Sequence, residues 1–250
     1  MKLLLATTAF ASFACATPLT RQQTQLNSEA NDWLPILEGK DGATCAEVAV
    51  IFARGSLDLG NIGLWVGGPF RDALYAKFDS IAIQGVNASD YQASFQEYFD
   101  DDGQSACARS LGAAVDKYAS YCPNTKFVIS GWGQGALCAR KSFDPSIGLV
   151  DINARDRVIA FAGFGNPSGH FENATNFPPL PVTTRSLAYC QERDPLCSDT
   201  SVDTIPADID GFIDISSGKR LRWAWTPEHF FYNSMTSKAA DDIFSVYQGV

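Results

Sequence analysis

The 250-residue sequence contains only two histidines, His170 and His229, and no two cysteines spaced as C-x-x-C. Zinc sites use clustered histidine and cysteine ligands, so this scarcity argues against a zinc site, and no other pattern calls for a metal or a cofactor. No run beyond the signal-like N-terminus approaches the roughly 20 apolar residues that span a bilayer. Basic residues are also few, 19 against 28 acidic ones, and the net charge of −9 disfavours nucleic acids and anionic membranes as partners.

The first residues of the chain have the features of a secretory signal. Lys2 precedes an apolar run, and Ala14-Cys15-Ala16 offers small residues for cleavage. We therefore expect residues 1–16 to be removed and the mature protein to be secreted. Without Cys15, six of the seven cysteines remain, and an even number in an exported chain favours disulfides. Asn87 and Asn173 each begin an Asn-x-Ser/Thr sequon and are candidate glycosylation sites.

The remaining sequence predicts one α/β domain over residues 45–250. Residues 17–44 are polar, and we expect them to form an N-terminal extension that is partly disordered or processed. Short β runs then alternate with segments of helical periodicity, a pattern typical of a parallel sheet covered on both faces. The β runs are Val48–Ala53 and residues 80–86, 126–130, 157–164 and 185–190. Helices are expected after residue 67, over 107–122, after 134 and over 237–247, and a surface loop or short helix over 90–104.

The sequence Gly131-Trp132-Gly133-Gln134-Gly135 lies between an apolar β run and a helix start. In α/β-hydrolases the pattern G-x-S-x-G at such a place forms the nucleophile elbow, but here the central residue is Gly133. Side chains at positions 131 and 135 would clash in so sharp a turn. The central position has a strained backbone that glycine enters freely, so we expect Gly133 to relax the turn and leave it intact.

Two other interpretations of this turn stay open. Gly131, Gly133 and Ala136 also satisfy the dinucleotide fingerprint G-x-G-x-x-G/A. That fingerprint needs an acid about 20 residues on, at the end of the next strand, whereas Asp151 precedes the next β run. The other interpretation is a glycine-rich βα turn without chemistry.

Five motifs in order carry a family resemblance: Phe52-Ala-Arg-Gly-Ser56, Gly60-Asn-Ile-Gly63, the Gly131–Ala136 turn, Cys190-x-x-x-Asp194-x-x-Cys197 and His229-Phe-Phe-Tyr232. From about Cys45 onward the chain resembles fungal cutinases and the related acetylxylan esterases. The resemblance implies a three-layer αβα hydrolase around a five-stranded, mainly parallel sheet. It also implies a catalytic triad in the order serine, acid, histidine.

Carried over residue by residue, the resemblance assigns the nucleophile position to Gly133, the acid to Asp194 and the base to His229. Ser56 and the backbone N–H of Gln134 match the oxyanion hole. The alternatives are a solvated loop carboxylate for Asp194, a buried structural histidine for His229 and a simple turn residue for Ser56.

The resemblance also implies two disulfides, Cys45–Cys122 and Cys190–Cys197, and it leaves Cys107 and Cys138 either paired or as buried thiols. The family usually has glycine before the acid, where this sequence has Arg193, a cation that could lock or crowd Asp194. Residues 205–227 contain four large apolar side chains, and they form either an apolar lip over the site or packing against the sheet edge. The four are Phe212, Ile213, Trp223 and Trp225.

Because glycine cannot form an acyl-enzyme, two functions follow. The protein is either a catalytically impaired or inactive relative that binds an ester or an acetylated polymer, such as cutin or a plant cell-wall polysaccharide, or a residual hydrolase in which His229 activates water directly. Ser130 lies too far back in its strand to replace the nucleophile. No feature of the sequence requires an oligomer, and we expect a monomer.

Overall fold

The five predicted β runs form one sheet. In the computed structural model, each strand begins within one residue of its predicted start. The strands are β1 (Val48–Ala53), β2 (Ile81–Gly85), β3 (Lys126–Trp132), β4 (Val158–Phe164) and β5 (Arg185–Tyr189). Their order across the sheet is β2-β1-β3-β4-β5, and every neighbouring pair is parallel. The structure describes residues 28–94, 97, 101–167, 177–194, 196–198 and 227–250, and of 101–104 only the backbone.

Helices connect the strands and cover the sheet. They are α1 (Leu34–Leu37), α2 (Gly68–Lys77), α3 (Asp101–Tyr121), α4 (Gln134–Lys141), α5 (Ile152–Arg155), α6 (Pro227–Phe230) and α7 (Asn233–Gln248), with a π-helical turn, Gly63–Gly67, leading into α2. None of the helices in these described parts has the length and apolarity needed to cross a bilayer. The predicted surface segment 90–104 needs correction, because its last residues belong to α3, and Tyr91 and Ala93 are fully buried.

The two faces of the sheet are both buried. Successive residues of a strand point to opposite faces, and in β1 the residues Ala49 and Ile51 pack with α1, α3 and α4, whereas Val50 and Phe52 pack with α2 and α7. A sheet covered on both sides needs apolar residues at every position, and β1 is buried along its whole length. The expected three-layer αβα sandwich around a five-stranded parallel sheet is therefore confirmed.

The N-terminal segment 28–44 differs from the expected partly disordered extension. Trp33 is fully buried, its ring 4.7 Å from that of Tyr118 and 6.1 Å from that of Phe127. Its indole N–H donates to the carbonyl of Ala82 at 3.2 Å. The polar composition concealed this packing, in which Ala30 and Ile36 are also buried. The packed domain thus reaches at least to residue 28, ahead of the predicted boundary at 45.

Three disulfides cross-link the described chain. Cys45 is bonded to Cys122 and Cys190 to Cys197, the two pairs that the resemblance implied. The third joins Cys107 of α3 to Cys138 of α4, which settles the pairing that the sequence left open. Cys190–Cys197 closes a short loop after β5, so it limits the freedom of Asp194 within that loop.

We predict that Trp33→Ala lowers the free energy of unfolding by about 3–5 kcal/mol, the usual range for a buried aromatic residue truncated to alanine. Leu34→Ala is the matched control, because its side chain is 37% exposed, and it should cost less than about 1 kcal/mol. Urea denaturation of both variants measures the difference. Equal small losses would mean that segment 28–38 adds little to the core.

Candidate active site

The predicted site residues converge at one edge of the sheet. In a parallel sheet the carboxyl ends of all strands lie at the same edge, where ligands bind. Ser56 follows β1, Gly133 follows β3, and Asp194 follows β5, while His229 lies in α6 just before α7. The topology therefore brings together residues that are as much as 173 positions apart in the sequence (56 to 229).

The turn between β3 and α4 has the sharp geometry expected of an elbow. Gly133 has φ 55° and ψ −119°, in the left-handed half of backbone space that disfavours side chains. A Cβ on Gly131 would lie 2.3 Å from the carbonyl oxygen of Gly135, and a Cβ on Gly135 would lie 2.0 Å from that of Ala53. The two outer glycines are thus required by close backbone packing, whichever residue occupies the centre.

A buried acid–base pair faces this turn. Nδ1 of His229 lies 2.9 Å from Oδ2 of Asp194, and both side chains are almost inaccessible to solvent. The hydroxyl of Tyr232 donates a short hydrogen bond to the same Oδ2, and the backbone N–H of Leu196 donates to Oδ1 at 2.9 Å. Asp194 is therefore not a solvated loop carboxylate, and each of its oxygens is held by a donor.

The electrostatics of the pair favour an ionised acid. Burial alone would raise the pKa of the Asp194 carboxyl, but hydrogen bonding and charge from His229, together with the donors Tyr232 and Leu196, outweigh burial and lower this pKa. For Tyr232, burial and then the Asp194 charge raise the pKa of the phenol. At neutral pH Tyr232 therefore keeps its proton and donates it to a charged carboxylate.

The second imidazole nitrogen of His229 points at Gly133. A Cβ built on Gly133 would lie 3.1 Å from Nε2 and 3.4 Å from Cε1 of His229. The ring is stacked on Trp132, with centroids 5.1 Å apart, and the Trp132 indole donates to the His229 carbonyl at 3.0 Å. His229 is thus fixed with one nitrogen on the acid and the other toward the place where the missing side chain would be.

Ser56 and Gln134, the predicted oxyanion donors, lie in contact. The Ser56 hydroxyl donates to Oε1 of Gln134 at 2.8 Å, and Gln134 is buried. As the first residue of α4, Gln134 has a backbone N–H without an acceptor inside the helix. Its amide Nε2 is also buried without a hydrogen-bond partner among the described residues. Arg54 stabilises the loop that carries Ser56, because its guanidinium donates to the carbonyls of Asp58 and Gln92.

Arg193 locks the loop of the acid and does not crowd it. Its guanidinium is directed to solvent and forms an ion pair of 2.8 Å with Glu228, the residue before His229. Arg193 has φ 74°, the left-handed region that glycine adopts without cost, which explains why glycine suits this position in the resembling family. The ion pair joins the neighbours of Asp194 and His229 on the outside of the site.

Sequence reasoning did not assign a role to Tyr232, although the residue belongs to the motif that contains His229. Its spacing, three residues after the base, was the only available signal. The hydroxyl group also accepts from the backbone N–H of Gln191 at 3.3 Å. Several predictions lie outside the described residues, namely the signal at 1–16, His170, the sequon at Asn173 and all of the aromatic segment 205–227 except Pro227. The sequon at Asn87 lies in an exposed turn, and its use stays a prediction.

The parallel sheet, the elbow and the helical layers are those of an α/β-hydrolase. The cutinase family model matches residues 44–218, and the chain belongs to the cutinase family. It is 30% identical over 213 residues to a probable cutinase 1 of Aspergillus niger, covering 82% of this chain and 76% of the relative. It is 30% identical over 166 residues to the carboxylesterase Culp1 of Mycobacterium bovis, covering 62% of this chain and 70% of the relative.

Solved structures show the same fold at lower identity. An acetylxylan esterase superposes with a TM-score of 0.59 at 18% identity, over 82% of this chain and all of the other. A Trichoderma reesei cutinase with a phosphonate inhibitor superposes with a TM-score of 0.55 at 22% identity, over 81% of this chain and 77% of the other. His229 lies beyond the residues that the family model matches, so its position beside Gly133 is a finding of the structure.

We predict that Tyr232→Phe lowers the free energy of unfolding at pH 7 by about 1.5–3 kcal/mol, the usual value of a hydrogen bond to a charged group. Because the folded-state pKa of Asp194 is lowered, the stability from its charge is present above the unfolded pKa of about 3.9. It is lost as the pH falls through the folded-state pKa. The difference between wild type and variant should therefore narrow below about pH 4.

Denaturation at several pH values measures this difference. Tyr247→Phe is the matched control, because it removes a hydroxyl bonded to Glu47 at the surface, and it should change stability little at any pH. A Tyr232→Phe loss that stays constant down to pH 3 would contradict the role assigned to the Asp194 charge.

Proposed function

We propose that this chain is a secreted cutinase-family protein that binds carboxylic esters above Gly133 and has lost most or all of its ester hydrolysis. The observation that carries the proposal is the geometry at Gly133. The turn keeps its elbow conformation and directs the missing side chain at Nε2 of His229, 3.1 Å away from the Cβ position. The position that would hold the nucleophile is therefore intact, and only the attacking atom is absent.

The remaining groups have proposed roles in ligand binding. Asp194 would orient the His229 ring through Nδ1, following the logic of catalytic triads. Ser56 and the Gln134 N–H would donate to the carbonyl oxygen of a bound ester. The substrate class is inferred from the names of the relatives, cutinase and acetylxylan esterase, and would be cutin or an acetylated cell-wall polysaccharide. The signal-like residues 1–16 and three disulfides support secretion.

The size of the expected loss follows from the chemistry. In subtilisin, removal of the serine nucleophile lowers kcat by about 2 × 10⁶, or roughly 8–9 kcal/mol of barrier. Ser130 does not replace it, because Ser130 is fully buried and donates to the Ala162 carbonyl at 2.6 Å.

A second candidate is a residual hydrolase. His229 retains its acid partner, and its Nε2 faces the site, so it has the arrangement of a general base without a nucleophile. A water held by that nitrogen would attack the ester carbonyl directly. The expected rate is that of oxyanion donors and binding alone, about 10³–10⁴ over the uncatalysed reaction in the subtilisin example.

Hydrolysis of p-nitrophenyl butyrate by wild type and Gly133→Ser tests the proposal. We expect kcat/KM to rise by at least about 10³-fold in the variant, because an acyl-enzyme becomes possible. The melting temperature should fall, because serine must adopt the strained φ of 55° at a cost of roughly 1–3 kcal/mol. Adding Ser56→Ala to the variant should lower kcat by about 10²–10³-fold if Ser56 is an oxyanion donor.

Strong wild-type hydrolysis that disappears in His229→Gln would overturn the proposal in favour of the water mechanism. Inactivity of both wild type and Gly133→Ser would show that more than the nucleophile has been lost. The alternative of a plain structural turn would then be favoured.

A further inference from the structure

The candidate site presents polar groups that have no hydrogen-bond partner among the described residues. Nε2 of His229 has no hydrogen-bond partner among the described residues, although the side chain is only 8% exposed and is aimed at Gly133. The Gln134 N–H begins an eight-residue helix, α4, whose N-terminus favours negative charge. The Ser56 hydroxyl donates to Oε1 of Gln134, and it would turn from this acceptor to a ligand oxygen. In a working hydrolase the serine hydroxyl would donate to Nε2 of the histidine and fill the space between these groups.

A carboxylate resembles the pair of oxygen atoms that a serine hydrolase holds at this place during acyl transfer. In the tetrahedral intermediate of acyl transfer, the oxyanion and the serine oxygen are bonded to one carbon, and a carboxylate likewise holds two oxygens on one carbon. With Gly133 at the centre of the elbow, we infer that the site binds the free carboxylate of an organic acid in preference to the corresponding ester. One oxygen takes the oxyanion position, at Ser56 and the Gln134 N–H, and the other takes the position of the absent serine oxygen, at Nε2 of His229.

The charge of the site fits this ligand. The lowered pKa of Asp194 keeps that carboxylate ionised. In the proposed complex the ligand binds together with a proton, so that the ring donates from Nδ1 to Asp194 and from Nε2 to the ligand. The other groups near the pair are the neutral Tyr232 on Asp194 and the outward ion pair of Arg193 with Glu228. Hydrogen bonds between charged partners are about twice as strong as neutral ones. An ester offers no charge, and its alkoxy group would occupy the position of the second oxygen.

The aromatic neighbourhood selects an apolar acid. The Trp65 ring is 39% exposed and lies 5.7 Å from Trp132 and 4.9 Å from Phe230 by ring centroids. Trp132 in turn stacks on His229. A hydrocarbon tail attached to the carboxylate can cover this surface, so short alkyl monocarboxylic acids are the expected ligand class. This inference rests on the proposed loss of hydrolysis, because it uses the space that a serine side chain would fill.

Calorimetric titration with butyrate, methyl butyrate and butyramide tests the inference. We expect butyrate to bind wild type at least tenfold more tightly than either neutral compound. Gly133→Ala should weaken butyrate binding at least tenfold, because its Cβ would lie 3.1 Å from Nε2 and displace the carboxylate from its position between Gly133 and His229. Gly42→Ser is the control, since Gly42 also has a positive φ of 77° and an added Cβ there meets nothing within 4 Å.

A second measurement does not depend on a variant that folds. The chain has two histidines, so ¹⁵N-histidine NMR of the wild type shows two imidazole rings. Butyrate should shift the resonances of the ring that keeps its Nδ1 bond to Asp194 and leave the other unchanged. Methyl butyrate should shift neither ring.

The outcomes separate the two proposals. Equal affinity for butyrate and methyl butyrate, or unchanged butyrate binding in Gly133→Ala, overturns the carboxylate inference while the proposed loss of hydrolysis stands. Hydrolysis of methyl butyrate by wild type overturns the proposed function, and butyrate affinity in wild type and Gly133→Ala then decides the inference alone. Absence of any butyrate binding overturns the inference in either case.

Discussion

The close approach of β3 and α4 is the constraint on which the site depends. Gly131 and Gly135 have no space for a Cβ, and the clashing atoms are backbone carbonyls of the same turn and of β1. This packing fixes the direction in which the chain leaves β3 and sets the backbone angles of Gly133 independently of its side chain. A glycine at the centre therefore preserves the elbow, and the geometry around it remains that of a hydrolase even without the reactive group.

The Asp194–His229 pair also contributes to the stability of the fold. Asp194 is fully buried and ionised, and a buried charge must be paired and hydrogen-bonded to be tolerated. His229, Tyr232 and the Leu196 N–H supply those bonds. Loss of His229 would leave the carboxylate with one partner fewer, at a cost of about 3–5 kcal/mol for a broken buried ion pair. The pair is thus a structural element of the fold as well as a candidate functional group.

The sequence predicted the architecture well because its signals are local. The strands β1 and β4 are apolar along their whole length, as doubly covered strands must be, whereas the edge strand β5 begins with the exposed Arg185 and Ser186. The strand starts agree within one residue. The resemblance assigned Asp194, His229, Ser56 and Gln134 to one site, and the structure brings them to the edge where the carboxyl ends of the parallel strands meet.

What the sequence did not show arises from contacts between distant segments. Burial of Trp33 against α3 and β3 depends on a partner surface 85 or more residues away (33 to 118). The outward turn of Arg193 depends on Glu228, and the burial of Tyr91 on the Arg54 carbonyl to which its hydroxyl donates at 2.9 Å. The periodicity and composition of a single segment do not indicate such contacts. The sequence therefore predicted that the polar segments 17–44 and 90–104 lie at the surface.

Because the fold itself favours keeping Asp194 and His229, their presence says little about whether the protein still binds a ligand. The informative groups are those with no folding role in the described structure. Nε2 of His229 stabilises no other part of the described chain, and Trp65 leaves 39% of its surface in solvent beside the site. Isolated exposed aromatic residues are common. Trp65, however, packs with Trp132 and Phe230 close to the unpartnered Nε2 of His229, and this favours retained binding. Nε2 of His229 and the exposed part of Trp65 therefore indicate a bound ligand more strongly than the Asp194–His229 pair does.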